Sequence, residues 1–411
     1  MEVAIVGGGI AGLYAALKMK EKDSSAEITI LEKSSTLGGR AGTRTFVGTP
    51  IMPGAGVGRK DKDHRLTALL KDMHIPYHDF VVQQNYSDAF SFEKEEEKDL
   101  AAFVRRTFYH LRRVFRDAGS PRKTFQSFAK SVLGLEKYKL FVAASGYSDY
   151  EQENAEDTLY HYGFDDNFAT WNAMGIAWKD LVQTMAKKLQ AGVKIVRSAT
   201  VTRLAFSDSD SRVQVHWKKD DATQKRLFHR VILATTVDTV RRLLPHHSIY
   251  QHIHAQPFVR IYGQFAAHCR DVMKAAVPTT TVVPGPLHKI IPINPDKGIY
   301  MIAYTDNADA KIIATLSKKL GCDAKEKLCR LLEQSLALPG GQSLELLQTE
   351  TIIWPVGTHY YDVLPDAFDT RREFIRKAQR PHPSVRVVGE MVAMNQGWVE
   401  GALESVHRAL V

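Results

Sequence analysis

The chain has 411 residues, 44% of them hydrophobic and 25% charged, which is ordinary for a globular protein but too long for a single core. Its formal charge of +9 is dispersed, so solvated helix faces are favoured over a nucleic-acid surface, and no stretch approaches the roughly 18 apolar residues that span a bilayer. Three scattered cysteines predict reduced thiols in a soluble, cytoplasmic protein, and we expect no metal, because the histidines at 246–247 and at 252 and 254 lack nearby cysteines or carboxylates in the sequence.

The periodicity of the apolar residues predicts the elements in chain order. A strand at 2–6, a helix at 11–20 and a strand at 27–32 form a βαβ unit, which implies a parallel sheet. The stretch from 63 to 166 has mostly helical periodicity. The later elements are strands at 194–204, 212–217, 230–234, 258–265, 289–293, 299–304 and 385–389, and helices at 308–336 and 399–410. The sequence therefore predicts an α/β protein of two domains between which the chain crosses several times.

The glycines after the first strand form a dinucleotide-binding motif. Gly7 permits the tight turn into the helix, Gly9 lets the backbone approach a pyrophosphate, and Gly12 lets the helix pack closely on the strand. The phosphates would meet the free N–H groups and the positive end of the helix dipole. Glu32 ends the second strand, where its carboxylate can accept hydrogen bonds from the adenosine ribose and disfavours the 2′-phosphate of NADP. Strand, helix and acidic strand end together make the motif specific.

Two further glycine-rich segments indicate FAD rather than NAD. In the segment 37–43 the glycines free the backbone to curve around a cofactor, and Arg40, which follows Gly39, can offer a fork of donors to the pyrophosphate or the flavin. The next patch contains Gly54, Ala55 and Gly56. Its backbone could approach a flat ring closely. A plain glycine-rich turn is the alternative for the first segment, and a plain loop is the alternative for the second.

These segments resemble the flavin-dependent amine oxidase family, which includes monoamine oxidases, polyamine oxidases and flavin histone demethylases. The resemblance continues through ATVTRL at 199–204, VILATT at 231–236 and GWVEGA at 397–402, and the last block is the most specific. It implies a two-domain fold with a Rossmann-type FAD-binding domain and a substrate domain of mixed sheet and helices. The short length and the segments 54–59 and 146–150 are similar to compact members found in large DNA viruses.

The resemblance also implies cofactor contacts beyond the glycine motifs. Val201 would touch the adenine through its backbone, and Glu390, which follows Gly389, would bind the ribityl or phosphate region. The block that covers the flavin contributes Trp398, Val399 and Ala402. His359 stands where mammalian monoamine oxidases have the cysteine that carries their flavin. The resemblance therefore implies non-covalent FAD.

On the substrate side the resemblance implies an aromatic cage in front of the flavin. Trp398 would form one wall and Tyr360 the other, with Tyr361 as the competing candidate. Two ring faces can guide an amine by cation–π attraction. Many members use a lysine that holds a water against flavin N5, and here Arg260 matches that position, with Lys289 as a second candidate. Arginine is a poor base, which bears on the oxidative step.

The predicted function is FAD-dependent oxidation of a small amine, either a primary amine or a polyamine. A hydride leaves the carbon next to the nitrogen, and O2 is reduced to hydrogen peroxide. A polyamine would suit acidic residues near the mouth of the site, although a solvated loop is the alternative for them. The candidates are Asp149, Glu151, Glu153, Asp165 and Asp166. Two other functions remain open, namely C–C desaturation or porphyrinogen oxidation on the same fold, and an FAD-bound binding protein without activity.

The predicted domains are discontinuous. We expect the FAD-binding domain to be assembled from 1–75, 188–246 and 381–411, and the substrate domain from 76–187 and 247–380. The partners expected from this reading are the amine and O2, without a metal, a membrane or nucleic acid. The sequence leaves the oligomeric state open.

Overall fold

The computed structural model describes residues 1–92, 97–207, 210–318, 322–340 and 342–410. The helices are α1 (Ile10–Lys22), α2 (His64–Asp72), α3 (Leu100–Asp117), α4 (Phe125–Leu133), α5 (Leu135–Ser145), α6 (Ala155–Tyr160), α7 (Trp178–Leu189), α8 (Val237–Leu243), α9 (Arg270–Ala276), α10 (Asn307–Lys318), α11 (Cys322–Ser335), α12 (Arg371–Ala378) and α13 (Val399–Leu410). The strands are β1 (Glu2–Val6), β2 (Glu27–Leu31), β3 (Arg44–Phe46), β4 (Thr49–Ile51), β5 (Gly58–Arg59), β6 (Tyr77–Val82), β7 (Gln84–Tyr86), β8 (Trp171–Ile176), β9 (Val193–Val196), β10 (Thr200–Ser207), β11 (Asp210–Lys219), β12 (Ala222–Phe228), β13 (Arg230–Leu233), β14 (Ile253–Phe265), β15 (Thr280–Val282), β16 (Lys289–Asn294), β17 (Ile299–Asp306), β18 (Leu346–Tyr361) and β19 (Val385–Val387).

A five-stranded parallel sheet lies at the centre of one layer. The strand order is β19-β13-β1-β2-β9, and each neighbouring pair is parallel. Both faces of such a sheet are covered, which explains why β1 and β2 are continuous apolar runs. Helices α1, α7 and α13 cover the face that carries Val3 and Ile5, whereas β10–β12, α8 and α12 cover the face that carries Ala4 and Val6. The predicted βαβ unit and α/β class are confirmed.

A six-stranded sheet forms the other layer. Its order is β18-β14-β17-β16-β15-β7, and it is antiparallel except for the pair β15–β7. Helices α9–α11 pack on this sheet around a core that contains Phe265 and Leu332. Helices α3–α6 form an aromatic core of their own, in which the rings of Phe108 and Phe164 stack 4.5 Å apart. The sheet and these helices give the mixed architecture expected beside the cofactor layer.

The strand β18 was missed by the sequence prediction. Its 16 residues do not alternate cleanly between apolar and polar, and Pro355 and Gly357 interrupt them. Proline is tolerated because β18 is at the edge of its sheet, and the strand is held by pairing with β14 along most of its length. The structure also divides the predicted helix at 308–336 into α10 and α11, and the predicted strand at 194–204 into β9 and β10.

The division into two discontinuous domains stays a prediction. The five strands of the parallel sheet all come from the three segments expected to bind the cofactor. Most of helix α7, however, lies within 76–187, and the helix packs against α1 in the core of the cofactor layer. This packing bears most directly on the boundary predicted between residues 187 and 188.

Candidate active site

The turn between β1 and α1 brings backbone segments into contacts that require glycine. Gly7 has a φ of +108°, and a Cβ on it would lie 2.2 Å from the carbonyl oxygen of Ala234. A Cβ on Gly12 would lie 2.0 Å from the carbonyl oxygen of Gly7. Both glycines are therefore required by the packing of strand, turn and helix, whatever the ligand.

Gly9 and Gly389 face open space instead. The nearest atom to a Cβ on Gly9 would be the carbonyl oxygen of Gly38, at 3.9 Å, and no described atom would lie within 4 Å of a Cβ on Gly389. Both glycines follow the carboxyl ends of parallel strands, β1 and β19, and Gly9 precedes the first turn of α1, which has no side-chain cap among the described residues. An open edge lined by free N–H groups suits the pyrophosphate of a dinucleotide.

The carboxylate of Glu32 lies at the end of β2, beside this turn. Its oxygens accept hydrogen bonds from the backbone N–H groups of Gly8, at 2.6 Å, and Ser34, at 2.8 Å. Each oxygen keeps a further lone pair for a ribose hydroxyl. The backbone carbonyl of Glu32 accepts the N–H of Ala199 at 2.8 Å, two residues before the predicted adenine contact Val201. Val201 itself is buried in the core on the other face of the sheet, and its contact with the adenine stays a prediction.

Glu390 joins three segments that are far apart in the chain. Nη1 of Arg40 donates to Oε1 of Glu390 at 2.8 Å and to the carbonyl oxygen of Gly357 at 2.6 Å. The other oxygen of Glu390 accepts the N–H of Gly397 at 3.1 Å. Gly39 has a φ of +58°, and a Cβ on it would lie only 3.6 Å from the Cα of Gly9. The glycine–arginine segment therefore lies against the dinucleotide motif.

His359 is the third partner of Glu390. Its Nδ1 lies 2.5 Å from Oε1 of Glu390, and its Nε2 accepts the backbone N–H of Val237 at 3.3 Å. An N–H donor needs a lone pair on Nε2, so the proton of this imidazole is on Nδ1 and is donated to Glu390. Burial raises the pKa of Glu390, but His359 and Arg40 together outweigh burial and hold that pKa well below its usual range. Glu390 is therefore ionised at neutral pH.

The third glycine patch packs on the glycine–arginine segment. The N–H of Ala55 donates to the carbonyl oxygen of Arg40 at 2.8 Å, and a Cβ on Gly54 would lie 2.0 Å from the same oxygen. Gly56 has more room, because the nearest atoms to a Cβ on it would be the guanidinium nitrogens of Arg260, at 3.7 and 4.0 Å. The patch is thus a fixed part of the site rather than a free loop. Arg260 is the side chain nearest to Gly56, which is the glycine of the patch with room around it.

Arg260 connects this patch to the six-stranded sheet. It is 4% exposed, and its Nη1 donates to the carbonyl oxygen of Met52 at 2.8 Å. The same carbonyl accepts the hydroxyl of Tyr262 at 2.7 Å. The guanidinium carbon lies 4.6 Å from the ring centroid of Tyr304, and Nε has no hydrogen-bond partner among the described residues. Arg260 is therefore a buried cation with an unused donor.

The GWVEGA block has local structural roles of its own. Glu400 accepts the backbone N–H groups of Arg65, at 3.0 Å, and Leu66, at 2.9 Å, and so caps the start of α2. Val399 and Ala402 pack in the core shared with α1. These contacts place the start of α13, and therefore the preceding Trp398, next to the cofactor layer.

Trp398 is held from one side by Arg59. The guanidinium carbon lies 3.8 Å from the ring centroid of the indole. Arg59 is 5% exposed, and its Nε and Nη2 donate to Asp63 at 2.9 and 2.7 Å, while Nη1 lies 3.4 Å from Asp166. Because this guanidinium is fixed and covers one face of the ring, a ligand would meet the opposite face of Trp398.

Tyr360 is held in a similar way by a histidine. It pairs directly with His254 on β14, and the two rings stack 5.1 Å apart at 23°. Nε2 of His254 lies 3.0 Å from Asp362, whose other oxygen lies 3.2 Å from Nδ1 of His252. No sequence pattern predicts this carboxylate beside the two histidines, because its position follows from the pairing of β14 with β18.

The competing tyrosine is less available to a ligand. Tyr361 is 1% exposed, and its hydroxyl donates to the carbonyl oxygen of Ala393 at 3.0 Å. Tyr360 keeps accessible surface and is therefore the better candidate for a ligand-facing ring. In the described part of the chain no ring contact joins Tyr360 to Trp398, so the cage stays a prediction.

Lys289 is the first residue of β16 and is buried against the ring of Tyr147. Close to it, burial together with the charge of Asp306 raises the pKa of Asp149 to about 7, and the hydroxyl of Tyr162 donates to Asp149 at 2.5 Å. The other acidic residues expected near the mouth have protein partners: Tyr138 for Glu151, Thr158 for Glu153, and Lys62 for both Asp165 and Asp166. Asp149 is thus the acidic candidate that joins the buried cluster around Lys289.

Comparison with known proteins decides the family. The model of the family described as flavin containing amine oxidoreductase matches residues 10–409. The chain belongs to this family. A comparison with curated protein sequences gave no match.

Solved structures with the same fold include two putrescine oxidases. A double mutant from a redesign of cofactor binding has a TM-score of 0.74 and 16% identity, with 99% of this chain and 97% of that chain covered. The wild-type enzyme bound to putrescine has a TM-score of 0.74 and 15% identity, with 99% and 98% covered. At this identity the likeness establishes the two-domain flavin amine oxidase fold.

Membership of the flavin-containing amine oxidoreductase family establishes the class of cofactor and of reaction. The cofactor is a flavin, and the chain is an oxidoreductase that acts on amines. Within the described residues no helix is long and apolar enough to cross a membrane, and no group of three or more histidine, cysteine, aspartate or glutamate side chains could hold a metal ion.

Several residues of this site had no assigned role in the sequence analysis. Arg59 had a local signal, because it directly follows the third glycine patch and stands four residues before Asp63, which is the spacing of an ion pair. His254 and Tyr147 had none, because their partners come from other strands and loops. Such partners become visible once the sheet register is known.

Proposed function

We propose that this amine oxidoreductase uses FAD to oxidise a primary amine or polyamine. A hydride leaves the carbon next to the nitrogen, and the electrons pass to O2, which gives hydrogen peroxide. The observation that carries the proposal is the open edge at Gly9 and Gly389 beside Glu32, since an adenine dinucleotide needs this room together with free N–H groups and a ribose acceptor. Putrescine oxidase of the same fold binds putrescine, which makes a small aliphatic amine the first substrate to test.

FAD would lie along the carboxyl edge of the parallel sheet. Glu32 would accept the ribose hydroxyls, and the first turn of α1 would meet the pyrophosphate. Glu390 and Arg40 would contact the ribityl end, where they already fix three backbone segments. Gly56 would leave room for the flat ring. Each of these groups is held by the protein, so the site is organised for its cofactor in advance.

We propose non-covalent attachment of the FAD. The residue that stands where some relatives have the flavin-bearing cysteine is His359, and both of its ring nitrogens are already used by Glu390 and by the N–H of Val237. A histidine in this state has no free nitrogen with which to bond a flavin carbon. Precipitation of the protein with acid should therefore release the yellow chromophore as FAD.

The bound flavin would supply a two-electron acceptor for the C–H bond of the amine. Trp398, held by Arg59, and Tyr360, held by His254, would offer ring faces that orient the amine. Arg260 stays protonated at neutral pH, so its free Nε would donate a hydrogen bond rather than take a proton. The chain thus contributes binding and orientation more than acid–base chemistry.

Aerobic turnover tests the proposal. Putrescine, spermine and benzylamine would be supplied one at a time to the purified yellow protein, and aldehyde and peroxide would both be measured. We expect equal amounts of the two products from at least one amine, and a large loss of both for Trp398→Ala but not for the control Phe206→Ala, an aromatic on the exposed surface of β10. A chain that holds FAD but forms neither product from any amine would contradict the proposal.

A further inference from the structure

A buried lysine lies in the six-stranded layer. Lys289 is 3% exposed, and its Nζ lies 3.5 Å from the ring centroid of Tyr147. It forms no hydrogen bond and no ion pair with any residue that the structure describes. Lysine is almost never buried in this way, because its charge loses water without gaining a partner. The position therefore calls for an explanation other than stability.

Carboxylates surround this ammonium group without touching it. Burial lowers the pKa of Lys289 to about 7, against the opposing charges of Asp306, Asp149 and Asp166. Asp306 accepts hydrogen bonds from the N–H and the hydroxyl of Ser148. Asp149 accepts a hydrogen bond from the hydroxyl of Tyr162. A ring face with acidic side chains around it is the environment that binds an ammonium group. Here the ammonium group belongs to the protein itself.

This ring-and-acid niche, formed by Tyr147, Asp149 and Asp306, is connected to the candidate active site. The rings of Tyr147 and Tyr304 are in edge-on contact, with their centroids 5.7 Å apart. The guanidinium carbon of Arg260 lies 4.6 Å from the ring centroid of Tyr304. Burial raises the pKa of Tyr147 well above its ordinary value, yet the residue keeps accessible surface. That accessible surface is the part of Tyr147 that a ligand could meet.

We propose that Lys289 is a specificity-determining residue that selects monoamines over diamines. Its terminal amino group occupies the ring-and-acid niche that the far ammonium group of a diamine would use, and wherever that amino group is protonated its charge also repels a second cation. A monoamine with an apolar tail meets neither obstacle. The inference rests on the amine oxidation proposed above and names the substrate class of that same site.

The test compares butylamine with putrescine, which differ by one amino group, in wild type and in Lys289→Met. Methionine ends where Cε of the lysine lies, so the variant removes the charge and vacates the position of Nζ beside the ring of Tyr147. Dissociation constants are measured by calorimetry on FAD-containing protein reduced with dithionite, so that binding is observed without turnover. We expect wild type to bind butylamine at least about tenfold more tightly than putrescine, and Lys289→Met to lose that preference because putrescine binds more tightly.

A second variant shows whether the ring-and-acid niche is the cause. Adding Asp149→Asn to Lys289→Met should reduce the gained putrescine affinity, because the freed niche then keeps only Asp306 of its two acids, while the hydrogen bond with Tyr162 is kept. The control Lys179→Met removes an exposed lysine on α7 and should leave the preference of wild type unchanged.

The outcomes separate this inference from the proposed function. Tighter binding of putrescine than of butylamine by wild type overturns the role of Lys289, even if the variants fail to fold. An unaltered preference in Lys289→Met with wild-type FAD content overturns it as well. If amines reduce the flavin and the preference is reversed, amine oxidation stands and this inference fails. If no amine reduces the flavin, amine oxidation itself fails.

Discussion

Gly9 and Gly12 stand three residues apart in one motif, but their surroundings differ. A Cβ on Gly12 would overlap the carbonyl oxygen of Gly7 at 2.0 Å, so Gly12→Ala should destabilise the apoprotein by about 2 kcal/mol or more. Gly9 has a φ of −75°, which suits alanine, so Gly9→Ala should leave that stability unchanged and weaken FAD binding. Urea unfolding of the apoproteins and FAD titration measure the two effects. An equal loss of stability in both variants would contradict the separate roles of Gly9 in FAD binding and of Gly12 in packing.

Lys289 should make the stability of the protein depend on pH. Burial lowers its folded-state pKa from 10.5 to about 7, so between these values the unfolded chain binds a proton that the folded chain has lost. The contribution of Lys289 to stability therefore rises with pH across this window. We expect Lys289→Met to be more stable than wild type at pH 7, with an advantage that shrinks toward pH 10. Urea midpoints at several pH values measure it, with Lys179→Met as control, and a constant difference would argue against a buried, shifted lysine.

Single residues could be predicted from the sequence when their role depends on neighbours in the chain. Gly7, Gly12 and Glu32 belong to this class, because the strand, the turn and the helix that need them are contiguous. His359 was noted only as a replacement for cysteine, since its bond to Glu390 joins two segments whose contact depends on the whole fold. Lys289 was a candidate for a role beside the flavin, and the sequence could not show that Tyr147 would cover it.

Among the elements, long apolar runs were predicted well and the edge strand β18 was not. The strands β1, β2 and β13 are buried on both faces, so their composition alone indicates them. The strand β18 depends on its partner β14, with which it pairs from Tyr361 to Leu346. Tyr360 lies on this strand, so the orientation of a predicted site residue could not be derived without the pairing.

The helix α2 gives a test at this scale, because its start is capped from another element. The carboxylate of Glu400 accepts two N–H groups of the first turn of α2, so Glu400→Ala should destabilise the protein by about 1–2 kcal/mol. Urea unfolding measures the loss. The neighbouring change Glu404→Ala breaks only an ion pair within α13, with Arg408, and should cost less than about 0.5 kcal/mol. Equal losses would mean that Glu400 has no special capping role.

For the whole molecule, the proposed cofactor site lies where the two sheets meet. Arg40 and Glu390 join β18 to the cofactor layer, and Arg260 joins the glycine patch to β14. A ligand that binds the folded chain alone stabilises it according to its concentration and dissociation constant. Protein stripped of flavin should therefore melt several degrees lower than the holoprotein and recover on addition of FAD. Identical melting temperatures, measured by calorimetry, would contradict a cofactor bound between the layers.

The activity proposed for this chain requires an amine to reduce a flavin that the chain holds. Anaerobic titration of the purified yellow protein with butylamine, putrescine and benzylamine, followed at the flavin absorbance band, tests it without any coupled reaction. We predict bleaching by at least one amine, and return of the oxidised spectrum with formation of peroxide when air is admitted. A flavin that dithionite bleaches but no amine reduces would contradict the account.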